Sequence, residues 1–205
     1  MNLRNLVLPM LLLLALALPA LAAEAPAQFL VVEGGPEDGV LWRGWPVLVQ
    51  VLGEAATPGS LAVKGPSPLS PRRGGKVWAV AGEETATLKP GVYRFTVGGL
   101  AVEAKPADPP ATLTGDQRRV LRRLQLYSAL ALGDPETAKR VGVQWTEEED
   151  ASVEAFAACG DALLAAGDRS GALKAWRQAL ARIPEGVCPP ESLATRARKL
   201  LFEEP

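Results

Sequence analysis

The stretch "AFAACGDALLAAGDRSGALKAWRQALARIP", residues 155–184, decides the class of the second half of this chain. Small and apolar residues recur at intervals of three and four on both sides of a Gly-Asp pair. This pattern is typical of two amphipathic helices joined by a tight turn. The stretch also contains a cysteine, acidic residues and a tryptophan, so it is either a reactive site or a packed scaffold. Its spacing relative to the rest of the chain favours the scaffold.

The Gly-Asp turn occurs twice, beginning at Gly133 and at Gly167, 34 residues apart. Repetition at a fixed interval indicates stacked copies of one supersecondary unit. In the second copy, Gly160 and Ala172 are small enough to let two antiparallel helices approach closely. The other predicted packing residues are the large side chains Phe156, Leu163 and Trp176, the small residue Ala179, and Pro184, which ends the second helix.

These positions resemble the tetratricopeptide repeat, with Trp176 in place of the usual phenylalanine or tyrosine. The resemblance covers residues 118–184. The first copy departs from the pattern, because Leu126 replaces its small residue and Gly142 stands where Trp176 stands in the second copy. Ala138 and Trp145 can still be aligned with the repeat. A generic bundle of five helices is the alternative interpretation.

The family resemblance implies a binding role for the helices. In such arrays a peptide or protein binds on the concave side, which is lined by the first helix of each repeat. That surface would include parts of residues 118–130 and 150–164. Because a stable array usually needs three or more repeats, this short one is expected to depend on the other domain, a second copy or a partner.

The boundaries of the five helices follow from capping signals. Thr114 and Gln117 form a capping box at the start of the first helix. Asp134 and Pro135 are the predicted N-cap and first residue of the second helix. A second capping box is predicted at Thr146 and Glu149 for the third helix, the turn at Gly167 precedes the fourth, and the fifth is predicted at 191–202.

Residues 28–105 have a different period. Short runs rich in valine and leucine alternate with Gly and Pro clusters, which predicts six or seven antiparallel strands in an immunoglobulin-like sandwich. The run at 84–91 is predicted to be one of these strands, and the Pro- and Gly-rich segment at 65–75 is predicted to be a loop. The run "LKPGVYRFTV", residues 88–97, resembles the tyrosine corner of immunoglobulin and fibronectin type III domains. The resemblance implies that the Tyr93 hydroxyl binds backbone a few residues upstream.

The predicted fold class is therefore two-domain, all-β and then all-α. The segment at 1–23 has the basic, apolar and small-residue order of a secretory signal peptide, with cleavage expected after Ala22 or Ala23. The mature chain is then expected in the periplasm or outside the cell. The predicted boundaries are 1–23 for the signal, 24–106 for the sandwich, 107–115 for a linker and 116–205 for the tetratricopeptide-like helices.

The composition argues against catalysis. The net charge is −1 and the chain has no histidine, so neither nucleic-acid binding nor histidine-dependent chemistry is indicated. We predict no enzyme activity, no cofactor and no metal site. The acidic run at 147–150 is typical of the first turn of a helix, where the helix dipole favours negative charge. A hydrolase with a carboxylate pair is the least favoured alternative.

Three groups of residues are candidates for other roles. Cys159 and Cys188 could form a disulfide in an oxidising compartment, or Cys159 could pack as a small apolar residue. The candidate partner-binding residues are Arg118, Arg119, Arg122 and Arg123 on one helix and Trp42 and Trp45 beside a strand. The arginines could instead form a solvated face or pair with 147–150, and the tryptophans could cover the end of the sandwich core.

The favoured function is an exported, non-enzymatic scaffold of the bacterial cell envelope that binds a protein or peptide, with a homo-oligomer as a further alternative. A carbohydrate- or cell-wall-binding module is the main alternative. It would need exposed, coplanar indole rings of Trp42, Trp45 and Trp78 on one face of the sandwich.

Overall fold

The computed structural model describes residues 28–53, 59–148 and 151–202, with side chains in the last helix described through Arg196. The predicted signal segment at 1–23 lies outside the described residues, as does Glu149 of the acidic run. A β region of two four-stranded sheets precedes an α-helical region. The prediction of β followed by α is therefore confirmed.

The eight strands form a double-layered sandwich. One sheet has the order β1-β3-β6-β5 and the other β2-β8-β7-β4, and only the β2–β8 pair is parallel. A β7–β8 hairpin turns at Gly98 and Gly99, both with positive φ, which glycine adopts readily. The strands are β1 Phe29–Glu33, β2 Val40–Trp42, β3 Val47–Leu52, β4 Ala62–Lys64, β5 Arg72–Gly74, β6 Val77–Val80, β7 Tyr93–Val97 and β8 Leu100–Ala107.

Alternate residues of both sheets point into the sandwich core. The buried tyrosine Tyr93 donates a hydrogen bond from its hydroxyl to the Lys89 carbonyl at 3.3 Å, four residues upstream. The Tyr93 hydroxyl oxygen in turn accepts from the Lys89 N–H at 3.2 Å and contacts the Ser67 hydroxyl. This is the arrangement that the tyrosine-corner resemblance implies. The largest core residues are Leu30, Val32, Leu41, Val47, Val49, Trp78, Val80, Leu88, Tyr93, Phe95 and Val97.

Two sequence-based expectations for the sandwich are wrong. The run at 84–91 is not a strand, because helix α1, Gly82–Thr85, occupies its start. The Thr85 side chain is fully buried and donates to the Trp45 carbonyl at 2.7 Å, an interaction that a surface strand would lose. The Pro- and Gly-rich segment at 65–75 is not entirely a loop, because β5 lies within it and pairs with β6.

Five longer helices follow the sandwich. They are α2 Gly115–Ala131, α3 Pro135–Thr146, α4 Val153–Ala165, α5 Arg169–Ala181 and α6 Glu191–Phe202. The capping box of Thr114 and Gln117 is present at the start of α2, and Asp134 caps α3 with Pro135 in its first turn. Helices α2 and α3 form the first hairpin, and α4 and α5 form the second.

The predicted capping box at Thr146 and Glu149 is wrong. Thr146 is the last residue of α3, and Ser152 caps α4 by accepting from the Ala155 N–H at 3.3 Å. Thr146 followed three residues later by Glu149 matches the sequence pattern of a capping box, but α3 continues through Thr146, and its Trp145 is buried in the core. The acidic residues Glu147 and Glu148 therefore follow a helix instead of starting one.

Helix α2 packs against the outer face of the sheet that contains β3 and β6. Leu124 of α2 joins Leu48 and Ala79 of the sheet in one buried cluster. A Cβ atom on Gly74 would lie 2.3 Å from the Ala131 carbonyl oxygen, so glycine is needed where β5 meets the end of α2. The sheet is thus buried on both faces at β3 and β6, and its contacts fix α2 on the sandwich.

The connection between the two regions is shorter than the predicted linker at 107–115. Strand β8 extends to Ala107, and the Ala107 carbonyl accepts from the Arg43 N–H at 2.9 Å. The Arg43 guanidinium pairs with Asp108 at 2.7 Å. Only residues 108–114 therefore connect β8 to α2.

Candidate functional site

The two helical hairpins are built on the same turn. Asp134 and Asp168 each cap a helix by accepting from the N–H three residues later, at 3.0 Å and 2.8 Å. The preceding residues, Gly133 and Gly167, both have positive φ. The hydrogen bonds to Thr137 lower the pKa of the Asp134 carboxyl. The repetition seen in the sequence is therefore a repetition of backbone geometry.

The second hairpin is held by a close contact between glycine and tryptophan. A Cβ atom on Gly160 would lie 2.1 Å from Nε1 of Trp176, so only glycine fits under the indole ring. That Nε1 donates to the Ala157 carbonyl at 3.0 Å. Of the residues predicted to pack here, Pro184 is exposed in the turn after α5. The other six are buried, namely Phe156, Gly160, Leu163, Ala172, Trp176 and Ala179.

The first hairpin has the large and small residues exchanged. Leu126 is fully buried in α2, and Gly142 faces it from α3. A Cβ atom on Gly142 would lie 3.3 Å from Leu126 Cδ1 and 3.0 Å from Cys159 Cα. The departure of this copy from the repeat pattern is thus a reciprocal exchange that preserves the fit between the helices.

A polar cluster joins the first helices of the two hairpins to α6. Asp161 of α4 accepts from Tyr127 of α2 at 3.3 Å and from Arg196 of α6 at 2.6 Å. Burial raises the pKa of the Asp161 carboxyl, against the effect of Arg196. Burial, reinforced by Asp161, also raises the pKa of the Tyr127 hydroxyl well above its usual range. Tyr127 and Asp161 occupy equivalent positions of the 34-residue repeat.

One cleft, which we call the front cleft, lies between this cluster and the sheet. It has a volume of about 470 Å³. Its apolar lining includes Leu48 and Val77 from the sheet and Leu130 from α2. Its polar lining consists of Glu33, Gln50, Arg123, Tyr127 and Arg196.

A second cleft, which we call the rear cleft, lies between the sandwich and the α2–α3 hairpin. Its volume is about 560 Å³. Its lining is dominated by polar and charged side chains from four elements, namely Arg72 of β5, Glu83 of α1, Arg122 and Gln125 of α2, and Arg140 and Gln144 of α3. The two clefts are therefore of similar size but different polarity.

The four predicted arginines of α2 are engaged in local contacts. Arg118 donates to the Leu113 carbonyl at 3.1 Å, and Arg119 pairs with Asp116. Arg122 binds Glu148 at 2.8 Å, within the acidic run that the sequence suggested as a partner. Arg123 approaches Glu33 at 3.4 Å and Glu154 at 3.6 Å. Only Arg122 and Arg123 also line a cleft.

The candidate tryptophans lie in the interior. Trp42 and Trp45 are each 5% exposed, contact each other edge to face, and cover the sheet where Leu124 packs. Trp78 is 4% exposed in the sandwich core. The expectation that Trp42 and Trp45 offer a partner-binding surface is therefore not met, and no indole of the three is open for stacking on a sugar. The burial of Trp42 and Trp45 follows from the packing of α2 on the sheet, whereas Trp78 is buried between the two sheets.

The two cysteines are unbonded. Cys159 is buried in the core of the second hairpin and Cys188 is exposed in the segment after α5. Desolvation raises the pKa of the Cys159 thiol to about 11. Cys159 thus packs as a small apolar residue. This was the alternative to a disulfide with Cys188 in the sequence-based prediction.

Apart from Arg122 and Arg123, sequence patterns did not single out the residues that line the clefts as binding candidates. Arg72 and Arg140 are isolated arginines on different elements, and Gln125 has no motif around it. Asp161 could have been found, because an acidic residue on a largely apolar helix requires a partner. Its partner, Arg196, lies 35 residues later and becomes a neighbour only through packing.

Comparisons with protein-family models, with curated proteins and with solved structures gave no match. Within the part of the chain that the structure describes, no helix is long and apolar enough to cross a membrane. The same part contains no group of three or more residues able to hold a metal ion.

Proposed function

We propose that this chain is an exported, non-enzymatic interaction protein of the cell envelope. An immunoglobulin-like sandwich would hold a short tetratricopeptide-like array that binds a peptide or protein segment. Export is supported by the order of basic, apolar and small residues in 1–23. The binding surface would be the face formed by the first helices of the two hairpins, α2 and α4.

The strand order supports the immunoglobulin-like part of the proposal. In the chain order of such domains, the first, second, fifth and fourth strands form one sheet and the third, sixth and seventh form the other. Here β1-β3-β6-β5 and β4-β7-β8 have this order if β2 is treated as a continuation of the first strand that crosses to the second sheet. The hydrogen bond from Tyr93 to Lys89 adds support.

The equivalence of the hairpins supports the tetratricopeptide-like part. Positions 34 residues apart have the same turn, the same cap and complementary packing pairs. Ala138 and Ala172, at equivalent positions, are both fully buried. A helical hairpin repeated in this way presents the same face of its first helix more than once.

The main support for this proposal is that the face formed by α2 and α4 extends beyond the part covered by the sandwich. Leu130 of α2 lines the front cleft, where the sheet partly covers it. The equivalent residue of α4, Leu164, is 38% exposed. The face therefore passes from the cleft to an open apolar position on α4, and the half-buried pair Tyr127 and Asp161 lies one turn earlier on the same two helices. A segment lying along it could bury Leu164 and reach the cleft.

Capture of a binding partner from an envelope extract tests this proposal. Val143 provides a matched control position. Val143 of α3 is 37% exposed, almost the same as Leu164, but it belongs to the second helix of a hairpin. We expect Leu164→Glu to abolish capture of a partner that the unmodified chain and Val143→Glu both retain. Equal capture by both variants would contradict binding on the first-helix face, and recovery of only a second copy of the chain would indicate a homo-oligomer.

A further inference from the structure

Strand β1 forms one edge of the first sheet and is the longest of the four edge strands that the structure describes. It has five residues, whereas β2, β4 and β5 have three each. Among the described residues, its only strand partner is β3, and no further backbone hydrogen bond involves residues 29–33. An edge strand with unpaired N–H and C=O groups is a template for pairing with another strand.

The other three edges carry features that prevent such pairing. Lys64 ends β4, and the exposed Arg72 and Arg73 make up most of β5. The outer side of β2 is occupied at Trp42, whose N–H donates to the Gly34 carbonyl at 2.8 Å. Strand β1, by contrast, has no lysine, arginine or proline. Among the described strands, the edge of β1 is therefore the least protected.

Two large apolar side chains are exposed at one end of this edge. Phe29 of β1 is 61% exposed, and Leu52, its partner in β3, is 45% exposed. Phe29 and Val31 alternate with the core residues of β1, so they lie on the outer face of the sheet. Helix α2 covers this face at the other end of β1, where Leu48, the partner of Glu33, is buried beneath it. The apolar end is therefore open.

A second copy of the chain fits this edge without opposing charges. The charged residue of β1, Glu33, lies at the end covered by α2, where Arg123 approaches it at 3.4 Å. If two β1 strands pair antiparallel about a two-fold axis at Leu30, Phe29 of each copy lies opposite Val31 of the other. The two Glu33 residues are then at opposite ends of the pair. The two α2 helices are at opposite ends for the same reason, so each leaves room for the added strand.

We propose that β1 is the interface through which two copies of this chain form a symmetric dimer. The β1-containing sheets of the two copies would join edge to edge, with Phe29, Val31 and Leu52 of both copies forming an apolar strip on the outer face. Strand β3 has no charged residue, and β1 has none at this end, so nothing on the two strands selects an acidic or basic partner. This interface lies on the sandwich and does not depend on a partner binding at the first-helix face.

Sedimentation velocity of the protein purified from the envelope tests the dimer. We expect the unmodified chain to shift from monomer to dimer as its concentration rises. Phe29→Lys should raise the dissociation constant by at least about tenfold, because it places a charge opposite the apolar Val31 of the second copy. The matched control is Val187→Lys, which adds the same charge at an apolar position that is 56% exposed, in the segment after α5.

The control variant should change the dissociation constant by less than about twofold. A chain that remains monomeric up to about 1 mM would overturn the proposal, as would equal weakening by both variants. Co-purification of a different protein in place of the second copy, lost in Phe29→Lys and kept in Val187→Lys, would overturn the second copy as the occupant of this edge.

Disulfide crosslinking tests the register of the two strands. In a background with Cys188→Ser, which removes the exposed thiol, Phe29→Cys and Val31→Cys chains are mixed and oxidised. We expect a covalent dimer that contains one chain of each variant, because Phe29 of one copy lies opposite Val31 of the other. A covalent dimer that forms as readily from either variant alone would overturn pairing about Leu30.

Discussion

The two hairpins have the same backbone turn but opposite packing pairs. In the second hairpin a glycine of the first helix receives a tryptophan of the second, whereas in the first hairpin a leucine of the first helix faces a glycine of the second. Gly160 corresponds to Leu126 and Trp176 to Gly142 at the 34-residue interval. This difference shows that the repeat keeps a glycine opposite a large side chain and does not fix which of the two helices carries each.

The hairpins also differ in what covers them. The first helix of the first hairpin, α2, packs on the sheet through Leu124. The corresponding helix of the second hairpin, α4, leaves Leu164 exposed. The sandwich therefore substitutes for a neighbouring repeat at one end of the array, while the second hairpin keeps an open face.

The largest expected effects come from exchanging the packing pair of the second hairpin for that of the first. Trp176→Gly should lower the free energy of unfolding by about 4 kcal/mol, because it removes a buried aromatic side chain. Gly160→Leu alone should cost about 3 kcal/mol through overlap with the indole ring. The double variant recreates the pair of Leu126 and Gly142 and should cost less than the sum of the two by at least about 1 kcal/mol.

Denaturant unfolding of the four proteins in this cycle measures the coupling. Circular dichroism at a helical wavelength is the suitable signal, because the change removes a tryptophan and alters fluorescence. Strict additivity of the two substitutions would contradict the reciprocal packing.

A smaller effect distinguishes the two glycines. Gly160→Ala should lower the free energy of unfolding by about 2 kcal/mol, because its Cβ would overlap the buried ring of Trp176. Gly142→Ala has looser contacts, at 3.0 Å and 3.3 Å, and gains helix propensity, so its net effect should stay within about 1 kcal/mol. Urea unfolding followed by tryptophan fluorescence measures both, and a larger loss for Gly142→Ala would reverse the comparison.

The smallest effect concerns the equivalent pair of Tyr127 and Asp161, of which only the aspartate titrates at acidic pH. Because the folded-state pKa of Asp161 is raised above 3.8, the folded chain binds a proton more tightly there than the unfolded chain does. This residue therefore adds stability as the pH falls from the raised pKa towards 3.8 and loses that contribution as the pH rises.

The difference in unfolding free energy between the unmodified chain and Asp161→Asn isolates the contribution of Asp161 titration. As the pH falls from the raised pKa towards 3.8, we expect the unmodified chain to gain stability relative to Asp161→Asn. A shift in the opposite direction would mean that the ion pair with Arg196 outweighs burial and lowers the pKa of Asp161.

Much of the fold could be predicted from local patterns. The β-then-α order, the helix N-caps at Thr114 and Asp134, and the turn at Gly98 and Gly99 each depend on a few adjacent residues. The burial of Trp42 and Trp45 depends on α2 packing on the sheet, which no local signal specifies. The short helix α1 was missed because its buried Thr85 binds the distant Trp45 carbonyl.

The clefts could not be predicted in the same way. Arg72, Gln125 and Arg140 come from separate elements and share no spacing. The capping signal at Thr146 failed because the sequence does not show that α3 must continue until Trp145 is buried. In the sequence, Leu126 and Gly142 are only departures from the repeat pattern. That they fit each other becomes clear only when the two helices are in contact.

Photo-crosslinking from two single positions tests most directly the claim that the open first-helix face of the second hairpin binds a partner. A photoreactive phenylalanine derivative would replace Leu164 in one protein and Val143 in another, since these side chains are about equally exposed. We expect a discrete protein adduct from position 164 in the envelope of the producing cell and none from position 143. Equal adducts from both positions, or an adduct from position 143 alone, would contradict it.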